Sequence, residues 1–72
     1  MQKLTTTVEL LQVGDYLKPV NDFWQILEIK KTKDIQNNVR YELTLMRQKD
    51  HRIRYEYASH GTEVDFYSKE TW

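Results

Sequence analysis

The stretch Val39-Arg40-Tyr41-Glu42-Leu43-Thr44-Leu45 decides the fold class. Val39, Tyr41, Leu43 and Leu45 alternate with Arg40, Glu42 and Thr44. That is the period of a β-strand with one apolar and one polar face. The strand is expected over residues 39–48, with Met46 breaking the alternation near its end.

Working outward, a second strand is expected over residues 23–32. Phe23, Leu27 and Ile29 fall on one face with Gln25, while Trp24 and Ile26 fall on the other with Glu28 and Lys30. Neither face is clean. A bulge near Ile26-Leu27 would bring Trp24, Leu27 and Ile29 to the core together. Between the two strands, Asn37-Asn38 can supply the positive φ of a hairpin connection. A third strand is read at 52–57, after the short polar connection Lys49-Asp50-His51. Its Ile53, Tyr55 and Tyr57 alternate with Arg52, Arg54 and Glu56, which places the arginines outward. A fourth at 63–67 turns Val64 and Phe66 inward and Asp65 and Tyr67 outward, with Gly61 at the reversal before it. Thr5-Thr6-Thr7-Val8 favours strand. Leu10, Leu11 and Val13 lead into a turn at Gly14-Asp15 and a short strand from Tyr16, ended by Pro19. Residues 68–72 form a tail that either lies along the domain, with Trp72 over an open end, or frays.

Five or six short strands without helical periodicity specify an all-β, antiparallel domain, a small sheet closing on itself, spanning residues 1–72 as one unit. Closure would remove exposed edges. The stretch Val13-Gly14-Asp15-Tyr16-Leu17, followed by Phe23-Trp24-Gln25-Ile26-Leu27-Glu28-Ile29, resembles the opening of SH3-like small β-barrels. It is similar to the start of Tudor and KOW-type domains, and the resemblance runs from Leu11 to Phe66. The Asp-Tyr-Gly run of Tudor domains is absent, as is the glycine between the strands of a KOW motif. The resemblance therefore implies a fold and not a ligand.

At 72 residues the chain buries only roughly 60% of its unfolded surface, leaving little for a deep cleft. It has no cysteine, so disulfides, thiolate metal sites and a thiol nucleophile are excluded. No apolar run reaches the length of a signal peptide or the ~20 residues of a membrane span. A cytoplasmic setting is expected. The adjacent Ser59 and His60 point to opposite faces of a strand and cannot pair as nucleophile and base, and His51 lies in a turn. His60, Glu63 and Asp65 converge only in part, short of the three or four ligands of a metal site. Neither enzymatic activity nor a cofactor is expected.

The charges cancel, with 11 basic and 11 acidic residues, but they are unevenly spread. Residues 30–54 carry eight basic side chains and three acidic ones, a net +5, which leaves −5 on the remainder. Lys30, Lys31 and Lys33 gather near the first hairpin tip, and Lys49, His51, Arg52 and Arg54 near the second. Arg40 and Arg54 are expected to project outward from neighbouring strands. Lys30, Lys31, Lys33, Arg40, Arg52 and Arg54 are thus the candidates for binding nucleic acid or another anion, because cations neutralise phosphates while aromatic faces stack on unpaired bases. Pairing of the arginines with Glu42 and Glu56 is the simpler alternative. The favoured reading is a binding module for nucleic acid or a protein of a nucleic-acid machine.

The chain also holds nine aromatic residues. Of these, Tyr16, Trp24, Tyr67 and Trp72 are the candidates for a protein-binding surface. The alternative function is a small inhibitor or adaptor, of a kind that would suit a virus. Such a protein could form a homo-oligomer through its opposite charge poles and sequester a small anion.

Overall fold

The computed structural model describes residues 2–19 and 21–71. Six strands follow in chain order: β1 Lys3–Thr7, β2 Tyr16–Leu17, β3 Trp24–Lys33, β4 Val39–Arg47, β5 Ile53–Ser59 and β6 Glu63–Tyr67. Short 3-10 turns occupy Val8–Leu10 and Lys69–Thr71. All strand pairs are antiparallel, in one sheet of order β1-β6-β2-β3-β4-β5. Among the described residues, no hydrogen-bonded ladder joins the edges β1 and β5. No helix there is long and apolar enough to cross a membrane.

β4 forms as its alternation dictates, with Tyr41, Leu43 and Leu45 buried and Val39 half-buried. The bulge in β3 falls where the pattern required it, between Ile26 and Glu28. It resolves the conflict between the two faces differently from expectation. Trp24 and Ile26 are buried and Ile29 packs against them, while Leu27 is the extra residue and is 41% exposed. A bulge leaves one residue unpaired, and here the unpaired residue is the one turned to solvent.

Val8 and Leu11 complete the buried core from the first 3-10 turn. Ala58 of β5 and Val64 and Phe66 of β6 pack against the same cluster. Residues from both ends of the strand order therefore meet one interior, so the sheet curls around it. Asp15 ties the loop before β2 to the chain terminus. It is buried, and its carboxylate accepts the N–H of Gln12 at 3.2 Å and that of Lys69 at 3.1 Å. Lys69 Nζ donates to the Val13 carbonyl at 2.8 Å, so the tail is held against the domain at Lys69. Trp72 lies outside the described residues.

Candidate functional site

The face that β5 shows to solvent is set by the turn at residues 48–51. Arg47 N–H donates to the Arg52 carbonyl at 2.8 Å, and His51 N–H donates to the Arg47 carbonyl at 2.8 Å. His51 takes φ 61° to make that reversal. With Arg47 closed on Arg52, Leu45 stands opposite Arg54, Leu43 opposite Glu56 and Tyr41 opposite Ala58. Met46, Thr44 and Glu42 then stand opposite Ile53, Tyr55 and Tyr57. Directly opposed residues share a face. Ile53, Tyr55 and Tyr57 therefore lie on the outer face, the reverse of the orientation the alternation of β5 suggests. Tyr55 is 60% exposed, Tyr57 55% and Ile53 45%.

The outer face of β3, β4 and β5 is a set of cross-strand rows: Glu28, Thr44 and Tyr55; Lys30, Glu42 and Tyr57; Thr32, Arg40 and Ser59. The Arg40 guanidinium stacks on the Tyr57 ring with its carbon 5.0 Å from the ring centroid, the geometry of a cation–π contact. The Tyr57 hydroxyl donates to the Glu42 carboxylate, which holds that hydroxyl protonated to higher pH than an ordinary phenol. Two tyrosine rings two residues apart on one strand share this face with Lys30, Arg40, Glu28 and Glu42 and make it amphipathic.

The six cationic candidates divide between the two faces. Lys30 and Arg40 stand on the outer face. Lys31 opposes Tyr41 and Lys33 opposes Val39, on the side that faces the core nearer the middle of the strands. Arg52 is exposed and lies 3.9 Å from Asp50. Arg54 does not share a face with Arg40. It opposes Leu45, lies 5.8 Å above the Trp24 ring and forms an ion pair with Glu56. The cause is the turn at 48–51, which puts Arg54 and not Tyr55 in line with the core positions of β4. The alternative pairing of the arginines with glutamates is present at Arg54–Glu56, whereas Glu42 faces Lys30 and Tyr57.

Of the four aromatic candidates, Tyr16 and Trp24 are placed differently from expectation. Tyr16 and Trp24 are buried, at 8% and 7% exposure, and form no surface. Trp24 is enclosed because its β4 partner Arg47 covers it at 5.5 Å, with Arg54 beside it. Tyr67 is half-buried and meets Phe23 edge to face, with centroids 5.1 Å apart at 75°. Trp72 is not among the described residues.

Two further groupings were not singled out in the sequence. Arg47 grips Asp50 with bonds of 2.9 and 2.5 Å and approaches Asp22 at 3.5 Å. The Arg47 guanidinium holds the Asp50 carboxyl well below the usual carboxylate range. The second grouping joins Glu9, His60 and Tyr41. The Glu9 carboxylate accepts the Thr7 hydroxyl at 2.6 Å and the Gly61 N–H at 2.8 Å, and lies 3.8 Å from His60 Nε2. His60 Nδ1 and the Tyr41 hydroxyl share a hydrogen bond of 3.2 Å. This cluster fastens the turn between β5 and β6 to the first 3-10 turn. Among the described residues, His, Asp and Glu side chains form no group of three able to hold a metal ion.

A cavity of about 180 Å³ lies between Leu4, Leu10, Gln12, Asp15, Phe66, Ser68 and Glu70. It is smaller than the roughly 300–1,000 Å³ of a small-molecule site. The open sheet face is the larger candidate surface. The chain matches no protein-family model, no curated protein and no solved structure.

Proposed function

We propose that this protein is a non-catalytic, SH3-like binding module that takes single-stranded nucleic acid on the outer face of β3, β4 and β5. The observation that carries this reading is the exposure of Tyr55 and Tyr57 side by side, with Arg40 stacked on Tyr57 and Lys30 in the same row. Exposed aromatic rings on a sheet stack on unpaired bases, and each such contact contributes about 1–3 kcal/mol. Lys30 and Arg40 supply the cations of this face for phosphates beside stacked bases, with Glu28 and Glu42 in the rows of the two tyrosines.

A fluorescence titration with a mixed-sequence single-stranded oligonucleotide tests this. Binding should weaken steeply as salt rises. Tyr55→Ala with Tyr57→Ala should remove it, and Lys30→Ala with Arg40→Ala should weaken it and flatten the salt dependence. Arg54→Ala, on the other face, should change it little. Retention of full binding by the double tyrosine variant would defeat the proposal.

Glu42 favours a second reading. It places a carboxylate on the same face, and Ile53 adds an exposed apolar side chain beside the tyrosines. A protein partner suits such a mixed surface, since tyrosine anchors tolerate polar neighbours. Under this reading no salt-dependent nucleic-acid binding appears, and a pull-down returns one partner that is lost on Tyr55→Ala.

A further inference from the structure

We infer that two copies of this chain associate through the free edge of β5, pairing antiparallel about a two-fold axis at Tyr55. This interface does not rest on the nucleic-acid reading, although Tyr55 and Tyr57 belong to both surfaces.

β5 is the last strand in the sheet and, among the described residues, pairs with β4 alone. The hydrogen bonds that close its two ends, Arg47 N–H to the Arg52 carbonyl and His60 N–H to the Val39 carbonyl, fix which backbone groups point toward β4. They are those of residues 52, 54, 56, 58 and 60. The N–H and carbonyl groups of Ile53, Tyr55 and Tyr57 therefore point to the open side. Edge strands are ordinarily protected by charged side chains, proline, a bulge or shortness. β5 is seven residues long, holds no lysine or proline, and keeps an unbroken register with β4; its only charges, Arg54 and Glu56, are of opposite sign and can satisfy each other across a pairing of two copies. The opposite edge, β1, is five residues long and begins with Lys3.

Self-complementarity selects the register. With the axis at Tyr55, Ile53 meets Tyr57 of the second copy and Tyr55 meets its own equivalent. Each of these is a pair that exchanges two backbone hydrogen bonds. In the intervening positions Arg54 of each copy meets Glu56 of the other, at the closer, non-hydrogen-bonded spacing. Opposite charges at such positions stabilise pairing, and like charges oppose it. Moving the axis by one residue either way sets Glu56 against Glu56 or Arg54 against Arg54. Only the register at Tyr55 joins aromatic to aromatic and cation to anion, and it gives the isologous contact of a two-fold dimer.

Sedimentation equilibrium of the full chain over micromolar to near-millimolar concentrations tests this. The wild type should reach twice its 8.8 kDa mass. Arg54→Glu and Glu56→Arg, each alone, place like charges across the axis and should remain monomeric. An equimolar mixture of the two variants should restore the dimer, because each anion then faces a cation. A wild type that stays monomeric throughout, single variants that dimerise as tightly as the wild type, or a mixture that stays monomeric would each overturn the inference. Far-ultraviolet circular dichroism of each variant checks that the sheet is intact, and the wild-type mass decides the matter should a variant fail to fold.

Discussion

Thr44 and Tyr55 are directly opposed on the outer face of the sheet, while their chain neighbours Leu45 and Arg54 are opposed on the inner one. This register separates what holds the fold from what the surface can offer. Leu45 is 2% exposed and Tyr55 is 60% exposed. Leu45→Ala should therefore cost about 2–5 kcal/mol, the range for truncating a buried leucine. Tyr55→Ala in the monomer should stay within about 0.5 kcal/mol, as for a surface position. Urea denaturation at low protein concentration compares the two. A loss at Tyr55 equal to that at Leu45 would show that β5 has the opposite orientation.

Arg47 is the cover of Trp24 and the anchor of the turn at 48–51. Arg47→Ala removes two bonds to Asp50 and exposes one side of the indole. A loss of stability is expected, with a red shift of the Trp24 emission. Arg52→Ala, which disturbs only an exposed contact of 3.9 Å, should lie within about 0.5 kcal/mol. Thermal melts followed by tryptophan fluorescence in a Trp72→Phe background separate the two.

Acid should loosen the junction at Glu9. Hydrogen bonds from the Thr7 hydroxyl and the Gly61 N–H lower the Glu9 carboxyl to about 2 from an ordinary 4.5. A carboxyl lowered in the folded state stabilises it fully above its unfolded value and loses that contribution as pH falls through the folded one. The urea midpoint should thus fall between about pH 4.5 and 2, and Glu9→Gln should flatten part of that fall. Asp34 and Asp50 are lowered as well and act in the same direction. An unchanged acid slope in Glu9→Gln would remove Glu9 from the account.

Gly14 and Gly61 both take positive φ, at 99° and 86°, but their surroundings differ. A Cβ on Gly14 would come within 2.9 Å of Lys69 Cδ, whose chain is held by the Val13 carbonyl, whereas one on Gly61 would meet open space. Gly61→Ala should cost about 1–2 kcal/mol from backbone strain alone. Gly14→Ala should cost more and should release the tail, seen as faster amide exchange at Lys69. Equal losses at both sites would contradict the docking of the tail.

β4 was legible in the sequence because both its neighbours leave its alternation undisturbed. The β3 bulge was legible as a conflict between faces, but nothing in Ile26-Leu27 says which residue is displaced. That depends on the pairing with Leu45 and Thr44. β5 was legible as a strand and misleading as to its faces. Apolar parity pointed Tyr55 and Tyr57 inward, yet the closing pair Arg47–Arg52 fixes the parity independently of hydrophobicity. A turn one residue shorter or longer would have reversed it. The sequence signal that could have revealed the outer face is therefore the length of the polar connection after Arg47. The cationic residues cluster along the chain, but their division between faces follows from the same turn. The cluster of Glu9, His60 and Tyr41 joins three segments distant in sequence, so no local pattern announces it.

Amide chemical-shift mapping during titration with a single-stranded oligonucleotide tests binding on the outer face of β3, β4 and β5, since it reads the surface without any substitution. Shifts should centre on Lys30, Arg40, Tyr55 and Tyr57, with the Asp15–Lys69 side of the domain unaffected. Shifts centred instead on Lys31, Lys33 and Arg54, or none at all at saturating oligonucleotide, would contradict it.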